Sequence, residues 1–346
     1  MYTPPATDYL SSEILERQKK LFANSWQWIP APAIDTLSPF TLLPQFLDAH
    51  LLLLSEQREY ALSNVCTHRG ALLYQASCKV PTTLRCPYHG RSFDKGGKCL
   101  AMPGFEKVSS FPTPQDHLPR KELKTWHFLR FVALQTPFVD FETFVASLDE
   151  RLGFLPLDTF QFSEAHSRDY DLAAHWMLYC DNYLEGLHIP YVHPALLRAL
   201  NFKAYETHTL PHGVLQIGLA EDDEVAFELP PDHPDTGKRV AAFYFWLFPN
   251  LMLNFYPWGL SLNVVEPRGL ESTRVRYLSW ISRPELMSTG AGADVDTTER
   301  EDHEVVLRVQ QGLKSPLYHR GRYAPDMEKG VAHFHHLRKR YETQDV

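Results

Sequence analysis

The sequence predicts an α+β protein in two parts: a small all-β domain, then a larger domain in which helices cover an antiparallel sheet. Three observations carry this expectation. Between about Trp26 and Leu134, short apolar runs such as LDAHLLLLSE, REYALSNV and HFLRFVAL alternate with turn residues, the pattern of short strands punctuated by Gly and Pro. After residue 200 a second series of strand-like runs follows, and two helical stretches close the chain. Helices grouped around strands, rather than alternating with them, argue for an antiparallel sheet with a covered face.

Taken in order, SSEILERQKKLF (Ser11 to Phe22) has helical spacing at Ile14, Leu15 and Leu21, with Ser11 or Ser12 as the cap. Residues 1–35 are expected to be an N-terminal segment whose helix packs on the larger domain, 36–137 the β domain, and 138–346 the larger domain. Phe138 to Leu148 reads as a linker running into a helix, and Asp169 to His193 as helical. The strand-like runs are Val214–Ala220, Val240–Phe248, Leu251–Tyr256, Leu260–Glu266 and Thr273–Ser282, with Asp222 to Lys238 as an exposed loop. The closing helices span about Thr297–Leu313, where Asp296 and Glu299 resemble a capping pair, and Pro325–Tyr341.

Composition narrows the function classes. Hydrophobic residues at 44% and charged residues at 22% are a globular balance. A net charge of −8 argues against nucleic acid or an anionic membrane as partner. Met1 to Lys20 lacks an apolar signal core, and Leu51 to Leu54 is too short to span a bilayer, so a cytoplasmic location is expected. An odd count of cysteines (66, 78, 86, 99, 180) favours metal ligands and free thiols over disulfides.

Two Cys/His pairs carry the first chemistry: Cys66-Thr-His68 and Cys86-Pro-Tyr-His89, with seventeen residues between them. A [2Fe–2S] cluster of the Rieske kind takes two thiolates on one iron and two imidazoles on the other. Here each loop offers one ligand of each type, with Gly70 and Gly90 placed for a tight turn. A zinc site uses the same residue types, but its pairs are commonly C-x-x-C or H-x-x-x-H, and C-x-H is unusual there. Cys78 and Cys99 read as ordinary thiols.

The second constellation is Asp181-Asn-Tyr-Leu-Glu185-x-x-His188-x-x-x-x-His193. Two histidines with a nearby carboxylate outline a mononuclear iron site, where two imidazoles and one carboxylate leave positions open for O2 and substrate. Glu185 and His188 fall i, i+3 on one helical face, with Pro190 expected to stop the helix and let His193 turn back. The third ligand must come from elsewhere. Asp302 shares a face with Val305, Val306, Val309 and Leu313, and a carboxylate on a buried stripe is costly unless paired or metal-bound. Glu301 aligns instead with Val305 and Arg308, and is expected to pair with that arginine or with solvent.

The runs NVCTHRGALL and RCPYHG resemble the Rieske domain of Rieske-type non-haem iron oxygenases. Respiratory Rieske proteins carry an extra cysteine in each ligand loop, where Ala71 and Tyr88 stand here. The segment HWMLYCDNYLEGLHIPYVHP resembles the same family's catalytic helix. The resemblance implies a helix-grip catalytic domain, a [2Fe–2S] cluster on Cys66, His68, Cys86 and His89, and Fe(II) on His188, His193 and Asp302, with O2 as cosubstrate. It implies that Glu185 bridges the iron site to the cluster of a neighbouring subunit, with Asp181 as second choice. It further implies a homotrimer supplied by an NAD(P)H-dependent flavin/iron–sulfur reductase. Two departures stand out: His175-Trp176-Met177 replaces the usual Asn-Trp-Lys, and Arg91 replaces the usual Trp, which puts docking of the electron donor in question.

DNYLEGLHIPYVHP, FPNLMLNFYPWGLSLNVVEP and VQQGLKSPLYHRGRY are most similar to the choline monooxygenase, carnitine and betaine oxygenase branch. That branch implies hydroxylation or N-demethylation of a quaternary ammonium compound. Tyr183, Trp246, Tyr256 and Trp258 are candidates for an aromatic cage around such a cation, though aromatics alternating along strands also simply pack cores. Hydroxylation of an aromatic or other apolar small molecule stays open, as does a Rieske electron carrier with a non-catalytic binding domain.

Overall fold

The computed structural model describes residues 1–56, 58–293 and 295–344. The chain forms two compact units, one of Trp26–Thr136 and one of Met1–Ser25 with Pro137–Val346. The division falls before residue 36 because Gln27–Ile29 pairs with Leu129–Val132 and so joins the β unit.

In the β unit the strands are β1 (Gln27–Ile29), β2 (Thr36–Leu42), β3 (Ala49–Ser55), β4 (Glu59–Ser63), β5 (Cys78–Lys79), β6 (Leu84–Arg85), β7 (Ser92–Phe93), β8 (Cys99–Ala101), β9 (Arg120–Trp126) and β10 (Leu129–Val132). One antiparallel sheet has the order β1-β10-β9-β4-β3-β2-β5, and β6-β7-β8 form a smaller one. Leu51 to Leu54 are all buried, because β3 lies mid-sheet with both faces covered. Leu52, Leu54, Leu62, Leu84, Phe93 and Leu118 form a core that reaches Cys66 and Cys86.

In the larger unit, α1 (Thr7–Leu10) and α2 (Ser12–Ala23) come first, and the Ser11 hydroxyl accepts the Ile14 N–H at 3.4 Å, settling the cap. Gln18 of α2 accepts from the Trp176 indole at 2.8 Å, both groups fully buried, which seats the N-terminal helix on this unit. Asp140 caps α3 (Phe141–Leu152) through the Thr143 N–H. The antiparallel sheet runs β11-β17-β16-β15-β14-β13-β12, made of β11 (Gln161–Leu172), β12 (Glu206–Leu210), β13 (Gly213–Leu219), β14 (Val240–Leu247), β15 (Leu251–Tyr256), β16 (Gly259–Gly269) and β17 (Ser272–Ile281). On one face lie α4 (Trp176–Tyr183), α7 (Val295–Leu313) and α8 (Lys329–Thr343), with the short α5 (Ile189–Val192) and α6 (Pro194–Ala199) after α4. Tyr179 of α4 and Glu299 of α7 meet Tyr277 of β17, and Phe334 of α8 packs edge-on against Trp246 of β14.

Several expectations shift. Asp169 to Leu172 is the end of β11, not helix, because Arg168 to Leu172 pair in register with Tyr277 to Thr273. The loop Asp222 to Lys238 is partly folded in: Phe227 packs on Phe243, and His233 and Asp235 are buried. Asp296 and Glu299 do not cap α7; Asp296 pairs with Arg168 at 2.9 Å, and Glu299 turns inward. Among the described residues, no helix is long and apolar enough to cross a membrane.

Arg338 of α8 is 1% exposed and holds Asp8 of α1 and Glu342, the latter at 3.0 Å. Removing a buried partner leaves carboxylates uncompensated, which costs about 3 kcal/mol or more. Arg338→Met should therefore lower the unfolding free energy of this unit by about 3 kcal/mol in urea denaturation. A loss under about 0.5 kcal/mol would show that solvent compensates these acids instead.

Candidate active site and metal centres

Cys66 and Cys86 open two turns of the same construction. In each, the cysteine N–H donates to a carbonyl further on (Ala71 and Arg91, both 2.8 Å), and the cysteine carbonyl accepts from a glycine N–H (Gly70 at 3.0 Å, Gly90 at 3.1 Å). Both glycines have φ near +70°, a conformation other residues adopt only under strain. The repeated turn brings the His68 and His89 rings to 4.9 Å, nearly perpendicular, and the two buried thiols share one core cluster. Burial pushes the Cys66 thiol up. Nδ1 of His89 is buried with no hydrogen-bond partner, a cost that a metal ligand would not incur. Two thiols, two imidazoles and an orphaned nitrogen on facing loops fit the donor set of a Rieske cluster.

Arg91 is not at the surface. Only 3% exposed, it donates from Nη1 to Thr67 at 3.0 Å and to Asp116 at 3.1 Å, with the Phe105 and Phe111 rings beside its guanidinium. It thus ties the residue after Cys66 to the residue after Gly90. Tyr88 is 59% exposed and its ring lies 3.7 Å from that of His89.

In the larger unit α4 ends at Tyr183, so Glu185 to His188 form a turn and not a helical face. Pro190 does not stop a helix; it sits in the first turn of α5, and Pro194 in the first turn of α6, where a missing N–H costs nothing. His188 and His193 are the residues immediately before these two helices. Asp302 reaches them from α7, with its Oδ1 3.0 Å from His193 Nε2 and 3.5 Å from His188 Nε2. One ligand atom from each of the three lies within 4.8 Å of the others. Ligands at right angles around an ion with bonds of about 2.1 Å stand about 3 Å apart, so the spacing suits adjacent positions on one metal.

Each imidazole is backed by a carboxylate. Glu185 holds His188 Nδ1 at 2.6 Å, and Glu301 holds His193 Nδ1 at 2.7 Å. Such partners fix the Nδ1–H tautomer and leave Nε2 free for metal. The expected pairing of Glu301 with Arg308 does not occur, since Arg308 lies against Glu304 one turn away. For His193, burial disfavours the charged ring, but the Asp302 and Glu301 carboxylates, which accept from it and carry opposite charge, outweigh this and raise its pKa. The second oxygen of Glu185 accepts the Leu187 and His188 N–H groups. Asp181 is engaged elsewhere, by the Tyr9 hydroxyl at 2.6 Å and His335 at 2.7 Å.

A cavity adjoins the three metal-site residues and is walled by Tyr183, Tyr205, Tyr244 and Tyr256, with Gln216, Asn254 and Glu299. Of the four expected aromatics, Tyr183 and Tyr256 are in this wall. Trp246 is not: it shares the face of Tyr244 but sits two residues, or roughly 7 Å, further along β14, under Phe334. Trp258 lies in the β15–β16 turn, stacked on Tyr256 at 5.3 Å. Tyr205, Tyr244 and Glu299 were not foreseen. Tyr244 precedes Trp246 by one strand repeat, and Glu299 precedes Asp302 by three residues on the same helix side, so spacing offered a signal for both. The Tyr179 and Tyr277 hydroxyls each donate to Glu299 at 2.5 Å. Burial and the neighbouring Asp302 push the Glu299 carboxyl up to about 7 against the downward pull of these donors.

The model of the Rieske [2Fe-2S] domain matches residues 27–112, and that of the ring hydroxylating alpha subunit catalytic domain matches residues 160–343. The chloroplastic choline monooxygenase of Spinacia oleracea is 28% identical, over 96% of this chain and 77% of its own. Putrescine 2-hydroxylase of Bordetella bronchiseptica is 24% identical, over 96% and 82%. Among solved structures, the quaternary ammonium Rieske monooxygenase CntA superposes with a TM-score of 0.77 at 24% identity, over 99% of this chain and 96% of that one, a likeness of fold. Since the catalytic-domain match alone takes in more than half of the sequence, the chain belongs to the ring-hydroxylating alpha-subunit family of Rieske non-haem iron oxygenases, with a [2Fe–2S] domain and a non-haem iron catalytic domain.

Proposed function

We propose that this chain is the terminal component of an oxygenase system that hydroxylates or N-demethylates a small quaternary ammonium compound. One observation carries this reading: His188, His193 and Asp302 converge beside a cavity walled by four tyrosines. Cys66, His68, Cys86 and His89 would hold the cluster, and His188, His193 and Asp302 the iron. When bound, these groups supply single electrons and the activation of O2 for attack on a C–H bond.

The chain's own residues prepare that chemistry. Glu185 and Glu301 hold both imidazoles in the ligating tautomer. Burial raises the pKa of Tyr183, Tyr205, Tyr244 and Tyr256, so all four stay neutral and can offer ring faces to a cation. Relatives that act on choline and putrescine by name support a cationic substrate. Glu185 is the bridge to the cluster of a neighbouring subunit. Inter-subunit electron transfer has been described for CntA, and heterologous contacts that close would give a homotrimeric ring. An NAD(P)H-dependent flavin/iron–sulfur reductase would supply the electrons.

Purified protein should contain about three irons per chain, falling to about two in His188→Ala with the visible cluster absorbance intact. Two irons in the unaltered protein, with no O2 uptake, would leave only an electron carrier. Glu185→Gln should keep both centres yet lower reductase-driven turnover by roughly 100-fold, and turnover like that of the parent protein would reject the bridge. Oxygen uptake with a matched reductase should respond to choline, betaine, carnitine or putrescine and not to simple aromatics; the opposite pattern would replace the ammonium substrate with an apolar one.

A further inference from the structure

We propose that Glu299 is the counter-ion for the substrate, selecting a monocation with an uncharged tail over a zwitterion. This rests on the ammonium reading above and narrows it.

The carboxylate is placed for the role. Glu299 stands on α7 three residues before Asp302, so the two side chains leave the same side of one helix about 4.5 Å apart along its axis. A nitrogen held beside Glu299 therefore brings its methyl groups or adjoining methylene toward His188, His193 and Asp302. Its oxygens are also unequally satisfied. Oε2 takes both tyrosine hydroxyls at 2.5 Å, while Oε1 has only a long contact with the Asn263 amide at 3.5 Å. The tyrosines fix the carboxylate in position, and Oε1 keeps acceptor capacity.

The charge balance points the same way. A buried carboxylate met only by neutral hydroxyls and an amide lacks the opposite charge that ordinarily accompanies it. No lysine or arginine is among the described residues that line this cavity. A cation entering it would supply the missing charge, with four tyrosine faces around it. A betaine would bring its own carboxylate into a space already holding Glu299 and Asp302, and like charge placed there disfavours it. An adjoining recess that also touches Glu299 holds Arg168, which is already paired with Asp296 at 2.9 Å.

The test is anaerobic calorimetric titration of the iron-loaded protein with choline, its neutral carbon isostere 3,3-dimethylbutan-1-ol, and glycine betaine. The unaltered protein should bind choline at least about 10-fold more tightly than either of the others. In Glu299→Gln, which preserves shape, the advantage of choline over its isostere should collapse to within about threefold, with the isostere's affinity kept. Glu299→Asp, which restores the charge, should recover most of the advantage. Equal losses for choline and isostere in Glu299→Gln would reduce Glu299 to a packing role. Betaine binding more tightly than choline to the unaltered protein would overturn the proposal even if no variant folds. Binding of no ammonium probe at all would instead remove the ammonium reading on which the proposal stands.

Discussion

Taking a carboxylate out of water costs several kcal/mol unless donors or cations meet it. The catalytic unit does this repeatedly in two short segments, at Asp181 and Glu185 and again at Glu299, Glu301 and Asp302. Each is met in its own way. Asp181 takes the Tyr9 hydroxyl and His335, Glu185 takes His188 and two backbone N–H groups, and Glu299 takes two tyrosines. Glu301 and Asp302 both lean on His193. The result is that both imidazoles of the candidate metal site are held from behind by carboxylates, so their positions do not depend on an ion. The N-terminal segment belongs to this network too, since Tyr9 comes from α1 and packs against His335 of α8.

The β unit meets a related constraint with different means. Its two ligand turns are nearly identical in backbone, although one spaces Cys and His by one residue and the other by two. A shared turn with unequal spacing lets the two loops present the same pair of atom types from opposite sides. Arg91 then cross-ties them through Thr67, with Asp116 balancing its charge. The residue that departs from the family pattern is thus an internal brace, and the exposed neighbour of the site is Tyr88.

How much of this could be read in the sequence depended on whether the relevant residues are close together in the chain. Cys66, His68, Cys86 and His89 were legible because local turns set them, and His188 and His193 because one short segment carries both. Asp302 was legible from the face it shares with Val306 and Leu313, which are buried, although Val309 of the same expected stripe is exposed. The turn at Glu185 was misread as helix because a proline can begin a helix as readily as end one, and only the preceding backbone decides which. Trp246 was misplaced because strand alternation gives the face but not the depth, and one repeat separates cavity wall from core. Glu301 was assigned to Arg308 or solvent by helical proximity, whereas His193, distant in sequence, offered the stronger partner. Likewise β11 and β12 were missed or shortened, since their polar, edge-lying sequences lack the apolar runs of the central strands.

Helix α7 has a consequence of its own. Glu299, Glu301 and Asp302 fall within a single turn of it, one touching the cavity, one steadying a histidine, one completing the candidate metal triad. A helix turn is stiff, so these three groups form one mechanical part that moves, if it moves, as a block. Mutations that slide or tilt α7 to fit a larger guest would disturb the metal triad by the same displacement. Broadening the guest range of this scaffold should therefore succeed through β13, β14 and β15, whose residues Gln216, Tyr244, Asn254 and Tyr256 can be exchanged one at a time without shifting the backbone that carries the ligands.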